Sequence, residues 1–253
     1  LHPEVSTVSP TVARDESRAR TDHSASRKQT GTFYTPRALA EFVTARSLHP
    51  LVQGKSSEDV LALRVVAPAM GSGAFLIAAC RYLADAYELA LVEEGRLNPG
   101  EADAHLRAEF RRLVAERCLF GVDRNPVAVQ LARLSLWLTT MARGKPLGFL
   151  DHRLRIGNSI VGASPTDLER LWTRRRDGPP LPLFERDDLE TAMRLAMIPL
   201  RELTRRSDDR VEDVYAKERL WSRLNGQDAP LGRWRAAASP WCAQWFWPAG
   251  PDG

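Results

Sequence analysis

The sequence VVAPAMGSGAFL, at residues 65–76, decides the fold of this chain. It contains the end of an apolar run, Leu61–Ala67, which is typical of a short strand buried in a parallel sheet. It ends with the start of an apolar helix that is predicted over about Ala74–Glu94. Between the two, Gly71 and Gly73 permit a tight turn and let a ligand approach the backbone closely. A strand joined to a helix by such a turn offers backbone N–H groups to a polar or anionic ligand, although the same turn is equally common as a purely structural feature.

Strands and helices alternate on both sides of this turn, which predicts an α/β fold with a doubly wound parallel sheet. A helix is expected to begin at Thr35-Pro36, to run through Leu39, Phe42 and Val43 and to end at Pro50. Downstream, the predicted elements are a helix over Glu101–Arg117, a strand over Leu119–Val122, a helix that begins at Asn125-Pro126 and a strand over Arg153–Ile156.

Composition divides the chain into three regions. Residues 1–30 are polar, rich in Ser, Thr and Arg, and are expected to form a disordered arm. Residues 31–163 carry the alternation of strands and helices. Residues 164–253 are charged and mostly helical in pattern, and the tryptophan-rich segment WCAQWFW lies at residues 241–247. The chain lacks an initial Met and stops abruptly, so we expect it to be cut from a longer protein.

Composition also narrows the function. The 253 residues are 43% hydrophobic and 27% charged, which is typical of a globular protein. No apolar run reaches the roughly 18–20 residues that span a bilayer. Three separated cysteines and five scattered histidines predict neither disulfides nor a metal site, which favours a cytoplasmic protein. A net charge of +4 and a pI near 9.2 permit nucleic-acid binding without requiring it.

The full string PAMGSGAFL resembles the S-adenosylmethionine loop of N6-adenine and N4-cytosine DNA methyltransferases, which usually reads DPACGSGAFL. In that family the glycines make room for the methionine part of the cofactor. Ala67 stands where the family has an acidic residue that orients the cofactor or the loop. The resemblance implies a cofactor-binding role for six residues of this segment: Ala67, Pro68, Ala69, Gly71, Gly73 and Phe75.

A second segment, GTFYTP at residues 31–36, is similar to the GxFYTP segment that closes over the methionine end of the cofactor in the same methyltransferases. Thr35 and Pro36 would place a helix N-terminus, with its free N–H groups, near the cofactor carboxylate. Phe33 and Tyr34 would supply aromatic walls. The alternative is an aromatic pair that packs ahead of a helix.

Two further segments follow in the order of the family. GVD at residues 121–123 places Asp123 at the end of a strand, where a carboxylate accepts hydrogen bonds from ribose hydroxyls in nucleoside-binding sheets. The alternative is a solvated Asp123 that caps the next helix. Arg124 would lie over the face of the adenine.

FLDHRLRIGNSIVG at residues 149–162 resembles a segment of the large single-chain methylases of type IIG, type ISP and the BREX and DISARM phage-defence systems. In that segment Asn158 would accept a hydrogen bond from the adenine amine of the cofactor. The alternative is a Gly-Asn turn that closes a strand.

The resemblance implies an incomplete, Rossmann-like class I methyltransferase fold with helical insertions, and S-adenosylmethionine as the cofactor. It implies double-stranded DNA as the substrate of the complete protein, and subunits of a restriction or defence system as further partners. The NPPY, NPPF or DPPW tetrapeptide that holds the target adenine in this family is absent from all 253 residues. No catalytic residue is therefore assigned, and the chain alone is expected to be inactive.

Two other functions remain as alternatives. One is a cofactor-binding or DNA-binding module without catalysis. The other is a dinucleotide-dependent oxidoreductase, which is disfavoured because GSGAFL lacks the third glycine of the GxGxxG pattern.

Overall fold

The computed structural model describes residues 35–164, 167, 186–226 and 229–243. The expected N-terminal arm, Phe33, Tyr34 and the end of the tryptophan-rich segment lie outside the described residues. None of the helices in these ranges is long and apolar enough to cross a lipid bilayer.

Three parallel strands form the sheet of the described residues. They are β1 (Val65–Ala67), β2 (Leu119–Asp123) and β3 (Leu154–Ile156), and they lie side by side in that order. Ala67 pairs with Gly121, and Asp123 pairs with Ile156. The prediction of a parallel α/β arrangement is confirmed. Because all three strands run in the same direction, their carboxyl ends meet at one edge of the sheet.

Within the described ranges, five helices precede or connect these strands and three follow them. The first five are α1 (Arg37–Val52), α2 (Ser57–Ala62), α3 (Ala74–Glu93), α4 (Ala104–Arg117) and α5 (Pro126–Thr139). The last three are α6 (Arg186–Arg205), α7 (Val211–Asn225) and α8 (Pro230–Ala243). Helix α3 packs against β1 and β2, α5 packs against β2 and β3, and α1 packs along α3.

The core lies between the sheet and these helices. Its fully buried side chains include Leu76 and Leu83 of α3, Leu119 of β2, Leu136 of α5 and Leu154 of β3. Because α3 contributes apolar residues along its whole length, it supports both the sheet and α1. The predicted boundaries of α3 are confirmed to within one residue.

The predicted strand over Leu61–Ala67 is wrong in its first half, because residues 57–62 form α2. The Ser56 hydroxyl accepts a hydrogen bond from the Asp59 N–H at 3.2 Å, and Glu58 and Asp59 place negative charge at the helix start. Both features favour a helix N-terminus at this point. The strand therefore begins only at Val65.

The predicted end of α1 is also wrong, because the helix continues through Pro50 to Val52. A proline in the last turn removes a single N–H bond, so the helix can end two residues later. The N-cap of α1 is Pro36 rather than Thr35, and the buried side chains of α1 are those of Ala40, Thr44 and Leu48.

A buried junction links α6 and α7 to the core. Asp208 and Lys217 are 0% and 2% exposed, and their side chains form an ion pair of 2.6 Å. The other Asp208 oxygen accepts a hydrogen bond from the Phe149 N–H at 2.8 Å, and Arg112 donates to the Asp208 carbonyl. These contacts offset the cost of burying the charges. They also fix the segment that enters β3.

Gly121 lies where the chain leaves no room for a side chain. A Cβ atom built at Gly121 would lie 2.3 Å from the Met70 sulfur and 3.0 Å from Leu76 Cδ1. Met70 is buried, and its N–H donates to the Val122 carbonyl at 3.0 Å. The glycine in the central strand therefore allows the turn after β1 to cross closely over β2.

We predict that Gly121→Ala destabilises the protein by about 1–3 kcal/mol, because overpacking a buried site forces its neighbours apart. Gly157→Ala is the matched control, since a Cβ there would meet its nearest neighbour, Val122, at an ordinary 3.6 Å. Urea unfolding followed by circular dichroism measures both free energies of unfolding. Equal stability of Gly121→Ala and wild type would contradict this packing.

Candidate functional site

The turn between β1 and α3 has the backbone conformation that its glycines predict. Gly71 and Gly73 have φ angles of 55° and 90°, in the left-handed region that favours glycine. A Cβ at Gly73 would lie 3.2 Å from the Ala132 Cβ, so α5 packs directly against this side of the turn. A Cβ at Gly71 would have nothing within 4 Å. The turn is therefore closed against the core at Gly73 and open at Gly71.

Helix α3 begins at this turn without a side-chain cap. Its N-cap is Gly73, whose own N–H donates to the Met70 carbonyl at 2.9 Å. The N–H groups of the first turn of a helix have no partner within that helix, and they lie at the positive end of its dipole. The turn therefore presents backbone donors beside the open space at Gly71.

Asp123 joins this turn to the end of β2. Its Oδ2 accepts a hydrogen bond from the Gly71 N–H at 2.8 Å, and its Oδ1 accepts one from the Asn125 N–H at 2.8 Å. The helix cap itself comes from Asn125, whose side chain accepts from the Val127 N–H. A carboxylate has about four acceptor positions, so both Asp123 oxygens retain capacity for the hydroxyls of a ligand.

The segment after β3 also reaches the turn. The Asn158 side-chain oxygen accepts from the N–H groups of Ile160 and Val161, at 3.0 and 3.4 Å. These bonds form the Gly-Asn turn that was given above as the alternative role of Asn158. They use the same oxygen that the family resemblance places near the adenine amine of the cofactor. The Ser159 hydroxyl donates to the Pro68 carbonyl at 2.7 Å. The sequence analysis did not predict that Ser159 contacts this turn. The feature of the sequence that could have indicated it is the position of Ser159 directly after Asn158.

The helix start at Thr35 lies near the same turn. Thr35 and Arg37 line a cavity of about 290 Å³ together with Ser72 and Ala74 of the turn. In its wall, Glu41 forms ion pairs with Arg37 at 2.6 Å and with Arg81 at 3.7 Å. Thr35, the fifth residue of GTFYTP, therefore borders one cavity with Ser72 and Ala74 of PAMGSGAFL, which lie more than thirty residues later in the sequence.

The remaining predicted residues that the structure describes differ in exposure. Four of them are exposed: Pro36, Pro68, Ala69 and Arg124. Phe75 is 38% exposed at the first turn of α3, and Ala67 is partly buried against the core. Within the described ranges, no three His, Cys, Asp or Glu side chains form a group that could hold a metal ion.

Burial keeps three titratable groups away from this edge neutral, namely Cys80 of α3, Cys118 before β2 and His152 before β3. Burial raises the pKa of Cys80 to about 12 and that of Cys118 to about 11. His152, just before β3, stacks on Phe149 with ring centroids 5.6 Å apart. Burial, together with the charges of Arg153, Lys217 and Arg155, lowers the pKa of His152 to about 3. At the carboxyl edge itself, the polar groups described above include backbone donors of the turn and the carboxylate of Asp123.

Comparisons with known proteins agree with these motifs. Residues 20–146 match the model of the N-6 DNA methylase family. Over 118 residues, the chain is 33% identical to the adenine-specific methyltransferase PglX of Streptomyces coelicolor, covering 47% of this chain and 8% of the relative. Over 139 residues, it is 25% identical to the type II restriction enzyme and methyltransferase RM.Eco57I of Escherichia coli, covering 50% of this chain and 14% of the relative.

A putative type II restriction enzyme and methyltransferase of Methanocaldococcus jannaschii is 30% identical over 118 residues, or 43% of this chain and 9% of the relative. The chain thus corresponds to a small part of each of these relatives. No solved structure matches.

We predict that the unfolding free energy falls as the pH decreases from about 6.5 towards 3. In this window His152 is neutral in the folded chain and protonated in the unfolded chain, so the unfolded state binds more protons. A single such histidine contributes about 1.4 kcal/mol per pH unit. His152→Phe should keep the ring stack and lose this part of the slope.

The measurement is denaturant unfolding at several pH values, with His105→Phe as the control. His105 lies on α4 with its side chain 48% exposed, so that variant replaces a histidine outside the core. If His152→Phe keeps the wild-type slope, the proposed burial of the neutral ring is wrong.

Proposed function

The chain belongs to the N-6 DNA methylase family, and from that premise we propose that residues 31–163 are the S-adenosylmethionine-binding part of a DNA adenine-N6 methyltransferase. The fold we propose for the complete enzyme is the Rossmann-like, doubly wound sheet of class I methyltransferases, with residues 164–253 as a mostly helical insertion. Its proposed substrate is an adenine in double-stranded DNA, and its proposed setting is restriction-modification or phage defence in the cytoplasm.

The observation that carries this proposal is the hydrogen bond between the Gly71 N–H and Asp123, two residues 52 positions apart in sequence. It places the glycine turn and the acid of GVD side by side at the carboxyl edge of a parallel sheet. Ligands of open parallel sheets bind at this edge. Backbone donors next to a carboxylate suit a ligand that has an anionic or polar end and a ribose. The donors would bind the anionic or polar end, and the carboxylate would bind the ribose hydroxyls.

The residues at this edge fit S-adenosylmethionine. The open space beside Gly71 leaves room for the methionine part, and the N-terminus of α3 favours its carboxylate. Asp123 would accept hydrogen bonds from the ribose hydroxyls, while Phe75 and Arg124 would flank the site. Phe33 and Tyr34 are proposed to close over it, next to Thr35 and Pro36. Asn158 would approach the adenine with its amide group, whose oxygen already accepts two backbone N–H groups.

When bound, the cofactor supplies an electrophilic methyl group. An amine can accept this group without a strong base, so the protein's task is to position the two reactants. In this chain the residues described above would hold the methyl donor, S-adenosylmethionine. The tetrapeptide that would hold a flipped adenine is absent from the 253 residues. The alternative proposal is therefore a module that binds cofactor or DNA without catalysis.

We predict that the purified chain binds S-adenosylhomocysteine and that Gly71→Ala weakens this binding roughly tenfold or more, or by at least 1.4 kcal/mol. The added methyl group would occupy the open space that we assign to the cofactor. Gly144→Ala is the matched control, since Gly144 also has a positive φ, 76°, and open space around its Cβ position.

Isothermal titration calorimetry measures both affinities. The proposal fails if the wild-type chain gives no heat at about millimolar ligand. It also fails if the two variants bind with equal affinity.

We predict that this chain alone does not methylate DNA. Without the tetrapeptide, nothing offsets the cost of base flipping, which is a few kcal/mol, and nothing aligns the adenine amine. The assay is transfer of a tritiated methyl group to mixed-sequence duplex and single-stranded DNA, with an intact adenine methyltransferase as the positive control. Incorporation that Gly71→Ala reduces would contradict this prediction and show that the chain holds a catalytic segment. The first candidate would be Ser239-Pro240-Trp241, which lacks one proline of the DPPW pattern.

A further inference from the structure

We propose that Asp123 is a positioning residue that holds the glycine turn in its ligand-binding conformation, independently of any bond between its carboxylate and the ligand. The inference rests on the proposed function, because the ligand is taken to be S-adenosylmethionine or its product. In this role Asp123 holds the glycine turn in place in the free protein, before any ligand binds.

The turn is anchored to its neighbours at three successive points. The Pro68 carbonyl accepts from the Ser159 hydroxyl, the Met70 N–H donates to the Val122 carbonyl, and the Gly71 N–H donates to Asp123. The first two anchors act ahead of Gly71. Asp123 therefore provides the side-chain anchor at the point where the backbone enters the left-handed region, with a φ of 55°.

The surroundings of Gly71 do not fix its conformation by packing. A Cβ there would have nothing within 4 Å, whereas one at Gly73 would meet Ala132 at 3.2 Å. A glycine with open space on its side has many accessible backbone conformations. Two hydrogen bonds restrict them: the Gly73 N–H donates to the Met70 carbonyl across the turn at 2.9 Å, and the Gly71 N–H itself donates to Asp123, its side-chain partner, at 2.8 Å.

A carboxylate is required for this role because two donors face it from different segments. Gly71 donates to one oxygen and Asn125 to the other, both at 2.8 Å. An asparagine would offer a single acceptor and would turn its own NH₂ group towards one of these N–H donors. Bonds to an ionised acceptor are also about twice as strong as those between neutral groups.

A role in holding the turn and a role in binding the ribose can be told apart, because they affect different sets of ligands. If Asp123 only binds the ribose, its removal weakens ligands that carry the ribose hydroxyls. If Asp123 holds the turn, its removal weakens every ligand of the turn, because binding must then also order the backbone.

The experiment compares S-adenosylhomocysteine with its 2′,3′-dideoxy analogue, which lacks both ribose hydroxyls. Calorimetry measures the affinity of each compound for wild type, Asp123→Ala and Asp103→Ala. Asp103 accepts the Leu106 N–H at 2.8 Å at the start of α4, so it controls for the loss of a carboxylate that accepts a backbone N–H away from the site. Hydrogen exchange at the Gly71 amide provides a second readout that needs no ligand.

We expect Asp123→Ala to weaken the dideoxy analogue by at least about tenfold and to speed exchange at Gly71 by a similar factor. Asp103→Ala should leave both unchanged. The inference is overturned if Asp123→Ala binds the dideoxy analogue as wild type does, or if its Gly71 amide stays protected. If wild type binds neither compound, the proposed function fails, and the exchange rate still decides whether Asp123 holds the turn.

Discussion

The hydrogen bond from the Gly71 N–H to Asp123 depends on the parallel register of β1 and β2, and the candidate site depends on that bond. Ala67 lies beside Gly121 in this register, so the chain leaves β1 directly next to the last residues of β2. Gly121 lets Met70 pass over the central strand, and Gly73 lets α3 begin against α5. Backbone donors, a carboxylate and an open space thereby meet at one edge of the sheet.

Local patterns predicted the elements that position this site. Each of these signals is carried by neighbouring residues of the sequence. They are the apolar periodicity of α3, the Asn-Pro start of α5 and the short strand that ends at Asp123. The start of α2 was missed because its apolar residues run directly into β1. The cap at Ser56 and the acids after it, rather than hydrophobicity, determine that start.

Contacts between distant segments could not be predicted in this way. Ser159 reaches the Pro68 carbonyl across 91 residues, and Asp208 reaches the Phe149 N–H across 59. Neither residue belongs to an apolar or glycine pattern. Their partners are backbone groups that every residue carries, so the contacts follow only from the folded arrangement.

A crystal structure of the chain with S-adenosylhomocysteine tests the proposed site most directly. We predict that the ligand lies at the carboxyl edge of the sheet, with its homocysteine part beside Gly71 and its ribose hydroxyls within hydrogen-bonding distance of Asp123. A ligand bound elsewhere would contradict it, for example one in the cavity of about 350 Å³ between α1 and α3 that His49 and Tyr82 line.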